Sequence, residues 1–144
     1  MDFNKAPDIQ KRLTKLLRHL DMPHVDPKRI VAFRSIGSKA RARARIWSMP
    51  RIWQKALDIK AHYVIEVISH HFDHLKEDEQ TKVLIHELMH IPKSFSGALV
   101  PHRGAGRRHQ VHHKKVNVLF KNYKKQVTGN RKQESRFRSI LNKI

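Results

Sequence analysis

From residue 103 to residue 144 the chain carries 13 Lys or Arg and one acid, Glu134, so this segment holds +12 of the formal +19 of the whole. Like charges at that density repel one another, and such a stretch does not collapse into a core of its own. The remaining length suffices for one modest core and not for two, so one domain with tails is expected. The opposite imbalance occurs at 66 to 90. There Glu66, Asp73, Glu77, Asp78, Glu79 and Glu87 face only Lys76 and Lys82. The sequence has no cysteine, which excludes a disulfide framework and a Cys-ligated zinc ribbon and leaves His and carboxylate as the strong metal ligands. No run reaches the ~20 apolar residues of a spanning helix, and "MDFNKAPDIQKRL" lacks the apolar stretch of a signal peptide. A cytoplasmic protein with no membrane partner is expected.

Periodicity places the elements. "DIQKRLTKLLRHL" sets Ile9, Leu13, Leu16, Leu17 and Leu20 at helical spacing, with Pro7 suited to the first turn and Asp21 and Pro23 beyond the end. "RIVAFRS" (29 to 35) and "HYVIEVIS" (62 to 69) read as strands by their β-branched and aromatic content. "ARARARIW" alternates strictly, Ala40, Ala42, Ala44 and Ile46 on one face and Arg41, Arg43, Arg45 and Trp47 on the other. A strand is expected there, although Ala and Arg also favour helix. "RIWQKALDI" after Pro50 suggests a short helix, and from about Glu79 the spacing of Val83, Leu84, Leu88 and Ile91 predicts a helix that Pro92 ends. "KSFSGALVPHRGAGRR" is a loop by composition. "HHKKVNVLFKNYKKQV" carries Val116, Leu119, Phe120 and Tyr123 on one helical stripe, "TGN" is expected to break it, and the tail resumes the spacing at Phe137, Ile140, Leu141 and Ile144. The fold class expected is α+β, a sheet of about three strands on the helix of residues 79 to 91 and a second helix. Its boundaries are an N-terminal helix at 1–28, a central domain at 29–128 and a basic tail at 129–144.

Inside the acidic island lies "HELMH". On a helix, positions i and i+4 share a face, so His86 and His90 can present imidazole nitrogens to one zinc ion. Glu87 is placed to take a proton from water attacking a carbonyl. A composition this rich in His yields such a motif by chance about 3% of the time, so its setting in an apolar helix after a strong strand carries the argument. The competing reading makes both histidines structural, satisfied by Glu66 or Asp73. Catalytic zinc needs a third protein ligand and one open position. The candidates downstream are His102, at the end of the loop and twelve residues past His90, then His113 and His112, and last His109.

The segment "YVIEVISHHFDHL…KVLIHELMHIPKSFSGALVPH" resembles the metallopeptidases of archaea and phages, relatives of the SprT and Spartan group of minimal zincins. The resemblance covers about residues 29 to 123, with "HELMHIPKSFSGALVPH" its specific part. It implies a zincin-like domain, a zinc cofactor and a protein substrate, with His86 and His90 as ligands, Glu87 as base and His102 as third ligand.

The basic residues point to nucleic acid, either DNA or the RNA of a ribosome. Arg41, Arg43 and Arg45 would form a ladder at ~6.6 Å intervals along one strand face. Further contacts are expected from Arg103, Arg107, Arg108, Lys114, Lys115, Lys124, Lys125, Arg131, Lys132, Arg136 and Arg138. Trp47 and Trp53 are read as core in preference to base-stacking. The stripe from Phe137 to Ile144 suits a docking helix, a piece of the core or a helix ordered on binding. Two functions follow: a zinc metallopeptidase brought to nucleic acid or ribonucleoprotein by its surface, or an RNA-binding, ribosome-associated protein whose zinc site is structural or vestigial.

Overall fold

The structure, a computed structural model, describes the backbone of residues 1–101 and 107–143 and the side chains of 1–101 and 113–143. The chain runs β1 (Asp2–Lys5), α1 (Pro7–His19), a 3-10 turn (Pro27–Arg29), β2 (Ile30–Ile36), β3 (Ala44–Trp47), α2 (Arg51–Leu57), β4 (Tyr63–Ile68), α3 (Ser69–Phe72), α4 (Glu77–Leu88) and α5 (Arg107–Asn142). The strands form one mixed sheet in the order β1-β2-β4-β3. β2 and β4 pair in parallel at its centre, with Ile30 opposite Tyr63 and Ser35 opposite Ile68; β1 and β3 flank them antiparallel. The class is therefore α+β, with four strands in place of three.

The fourth strand is β1, and its sequence offers no pattern to find. All four of its residues are exposed, and it joins the sheet through backbone bonds to β2, which need no apolar alternation. The helix after it has the opposite character. Ile9, Leu13 and Leu16 of α1 are buried against the sheet, so residues 1–28 enter the same core as the central domain.

Strand alternation divides the sheet into two unlike faces. One carries Ile30, Ala32, Ala44, Ile46, Tyr63, Ile65 and Val67, all in or packed on the core with α1, α4 and α5. The other carries Phe3, Val31, Phe33, Val64 and Trp47, none of which joins that core. Glu66 lies on this second face, fully buried, its Oε1 accepting from Arg45 Nε at 3.0 Å and Trp47 Nε1 at 2.9 Å. Trp47 and Trp53 are thus not core residues: they are 46% and 58% exposed. No residue of α2 is buried.

Two further expectations change. The Arg ladder is not built, because β3 begins only at Ala44, leaving Arg41 and Arg43 in the connection before it. Ala and Arg have little intrinsic strand preference, and regular pairing starts where β4 supplies the partners Val67 and Glu66. Nor does "TGN" end the last helix: α5 passes through Gly129 to Asn142. A single Gly costs about 1 kcal/mol within a helix, too little to stop one that has Lys, Gln, Arg and Glu at 124–126 and 131–134 on either side. Val116 of α5 is buried, and Leu119, Phe120 and Tyr123 pack on the core. Beyond them Phe137, Ile140 and Leu141 are exposed, so this stripe is not part of the core. Among the described residues no helix is long and apolar enough to cross a membrane.

Candidate metal centre

α4 opens with three acids, Glu77, Asp78 and Glu79, at its N-terminal turn, where the helix dipole favours negative charge. Arg12 of α1 fastens this turn, donating to Gln80 Oε1 at 2.6 Å, Thr81 Oγ1 at 2.9 Å and the Glu77 carbonyl. Leu84, Ile85 and Leu88 are driven into the core. That rotation leaves the intervening stripe Glu79, Lys82, Val83, His86 and Glu87 beside a cleft of about 480 Å³. Ala42, Arg43 and Ala44 form its second wall, and His113, Val116 and Asn117 of α5 its third.

His90 lies one residue past the C-cap Met89, which keeps αR geometry, so the i, i+4 relation with His86 persists beyond the assigned helix. The two rings are 5.2 Å apart between centroids, at 71°. Nδ1 of His90 is 2.7 Å from the Val100 carbonyl, and the Val100 amide donates to the His90 carbonyl at 2.7 Å. The first contact makes Nδ1 the protonated nitrogen and Nε2 the lone-pair nitrogen, the arrangement in which a ligating His is oriented from behind. The loop is held for this contact. Tyr63 Oη donates to the Ala98 carbonyl and accepts from the Gly97 amide, and the Gly97 carbonyl accepts from the Met49 amide. Gly97 has φ +94°, and a Cβ there would lie 2.3 Å from the Met49 carbonyl oxygen, so only glycine permits this approach.

Glu87 is buried, and desolvation pushes its carboxyl up to about 8, opposed by a hydrogen bond from the Ile46 backbone. It lines the first cleft and also a second one bounded by Ala44, Arg45, Ile46, His90, Leu99, Val100 and Pro101. The two carboxylates of the competing structural reading, Glu66 and Asp73, are engaged elsewhere. Glu66 bonds Arg45 and Trp47, while Asp73 bonds Arg34 and Ser69.

The donor set fits a zinc ion in part. Two imidazoles on one tetrahedral ion with bonds of about 2.1 Å would hold their centroids about 5 Å apart, and the His86–His90 pair already has that spacing. His113 is the further histidine that the described residues bring near, its ring 6.4 Å from that of His86 at 44°. Among the described residues no group of three or more His, Asp or Glu closes to metal-binding distances. His102, and the side chains of His109 and His112, lie outside the described residues, as do Arg103 and the side chains of Arg107 and Arg108.

The other basic candidates divide by place. Arg43 lines the cleft, and Arg45 pairs with Glu66. Lys114, Lys115, Lys124, Lys125, Arg131, Lys132, Arg136 and Arg138 are all exposed along α5, with Lys124 reaching Asp78 at 3.3 Å. Sequence reasoning passed over Glu79, Lys82 and Asn117 as cleft residues. Glu79, Lys82 and Val83 precede His86 at helical spacing and could have been found that way. The Val100 carbonyl could not, since a backbone acceptor carries no side-chain signature.

An α+β domain with an H-E-x-x-H helix against a mixed sheet is the setting of a metal-dependent hydrolase. A sequence model of the family described as "Putative phage metallopeptidase" matches residues 1–124, and the chain belongs to that family. Membership implies a metal cofactor. No curated protein matches the chain, and no solved structure does.

Proposed function

We propose that the protein is a zinc-dependent peptidase whose ion would be held by His86, His90 and His102, with Glu87 as general base. The observation that carries this reading is the placement of Glu87: a buried carboxyl between two histidines already spaced for one ion, opening on clefts at both sides. When bound, zinc supplies a Lewis acid that activates water and polarises the scissile carbonyl. The chain's own part is distinct. Glu87 accepts the proton of the attacking water and returns it to the leaving amine, and the dry wall around it keeps its pKa near working pH. His90 is kept in one tautomer by Val100. β3 is an edge strand, so an extended peptide can add along it and bring its carbonyl over Glu87. His102 is preferred as third ligand because Val100 is bonded to His90 in both directions, and two residues of chain span at most about 7 Å.

The exposed cations of α5 favour a second element, association with nucleic acid through phosphate contacts, consistent with a cytoplasmic protein acting on ribonucleoprotein or DNA. The resemblance to minimal zincins supports the peptidase reading over a purely structural zinc site.

Metal analysis of the purified chain tests this. About one zinc per chain is expected, absent from His86→Ala/His90→Ala. His102→Ala should lower zinc affinity more than tenfold and His113→Ala less. Full occupancy in the double variant places the metal elsewhere; release by His113→Ala and not by His102→Ala moves the third ligand to α5.

A further inference from the structure

The face of the sheet turned away from the core keeps Phe3 and Trp47 exposed, beside Ser35, Glu66 and Ile68, which are fully buried, and that composition is unusual for solvent. Pairing aligns Phe3 with Ser35, Lys5 with Phe33, Phe33 with Glu66, Arg45 with Glu66, and Trp47 with Val64. Paired residues share a face, so Phe3 of β1 and Trp47 of β3 stand on one surface, with Phe33 of β2 half-buried on the same face. Phe3 is 49% exposed and Trp47 46%, in a chain with few aromatic residues to spend on solvent. The charges that reach solvent there are Lys5, exposed, and Arg45, half-exposed and paired with Glu66. Its acid, Glu66, is fully buried beneath Arg45 and Trp47.

Glu66 also fixes the geometry. By accepting from Trp47 Nε1 and Arg45 Nε it holds the indole and the guanidinium in one arrangement, the guanidinium carbon 5.1 Å from the indole ring. The ring is thereby oriented before any ligand arrives, which reduces the entropy lost on binding. Exposed aromatic rings on the two edge strands of one sheet face, flanked by cations and without an exposed acid, are a stacking platform for unpaired bases. A duplex offers no base faces to such a surface.

We infer that this sheet face binds single-stranded nucleic acid, with Trp47 and Phe3 stacking bases and Lys5 and Arg45 meeting the phosphates. Its aromatic residues Phe3 and Trp47 line neither metal cleft, while Arg45 borders the second of them. It also differs in kind from α5, whose cations read phosphate alone. Charge decides the occupant: a face whose exposed charges are all positive, on a chain of formal charge +19, suits a polyanion.

The test is fluorescence anisotropy of the full chain with labelled oligothymidylate and with a duplex of equal length. Trp47→Ala and Phe3→Ala should each weaken the single strand at least fivefold. The slope of affinity against salt should not change, since no phosphate contact is removed. Duplex affinity should stay within twofold, and Trp47→Phe should retain most of the single-strand affinity. Zinc content should be unaffected in both variants and peptide hydrolysis in Phe3→Ala, and His86→Ala/His90→Ala should still bind the single strand, so failure here and failure of the peptidase reading are told apart. If both alanine variants bind oligothymidylate within twofold of the parent chain, or if the parent chain binds none, the inference is overturned. A face built for a protein partner would give that first result.

Discussion

α4 and α5 are both regular helices in contact with each other, yet they meet solvent in opposite ways. Five of the twelve residues of α4 are buried, Thr81, Leu84, Ile85, Glu87 and Leu88. Along α5 only Val116 is buried among the described side chains, and everything from Thr128 to Lys143 is exposed. Burial shifts the one carboxyl it encloses on α4: desolvation raises Glu87 to about 8. Exposure leaves the cations of α5 in water, away from low-dielectric surroundings. One helix excludes water along much of its length, the other projects into it.

The sharpest way to break this contrast is at Glu87. Glu87→Gln should lower peptide hydrolysis by at least a hundredfold while zinc stays bound, measured by turnover and metal content on one sample. The same substitution has a stability signature in the metal-free protein. Because the folded carboxyl titrates at about 8 against an ordinary 4.5, the folded state retains a proton that the unfolded chain loses. Stability from this group is therefore full below pH 4.5 and declines as pH rises to 8. Denaturant titrations from pH 5 to 9 should show that decline in the metal-free parent, on the order of 4 kcal/mol. Glu87→Gln should abolish it. A parent chain equally stable across the range would mean that Glu87 is solvated.

Leucine truncation sharpens the comparison next. Leu88→Ala, in the core, should cost about 3 kcal/mol, whereas Leu141→Ala, exposed on α5, should stay within about 0.5 kcal/mol. A large loss at Leu141 would show that the tail packs on something in solution.

Neutralising Arg131, Lys132, Arg136 and Arg138 to Gln together should weaken duplex DNA binding and reduce the salt slope by about 3 to 4, roughly 0.9 per lost phosphate contact. An unchanged slope would move the phosphate contacts to residues 103–125. The smallest effect is expected at Gly129, where an added Cβ meets nothing within 4 Å. Gly129→Ala should raise the helical signal in circular dichroism and stabilise α5 by up to about 1 kcal/mol. A loss of helicity would show that α5 bends at this point when free.

The residues themselves account for the parts of the fold in which side-chain periodicity coincides with burial. α1, β2, β4, α4 and the Val116/Tyr123 stripe were legible because an apolar face must repeat every 3.6 or 2 residues to be buried. His86, Glu87 and His90 were legible for a related reason: a helix brings i and i+4 together whatever surrounds it. Tertiary structure decided the rest. β1 exists through backbone pairing alone, and the Arg ladder failed because regular pairing with β4 begins only at Ala44. Trp47 and Trp53 are aromatic enough for a core, but the sheet presents one of them on the face turned away from the core and α2 the other to solvent. The approach of Val100 to His90, and of His113 to His86, depends on loops and helices meeting across long sequence separations. Local sequence fixes which way a side chain points from its own element; which surface that element covers, and which it leaves open, is a property of the assembled layers.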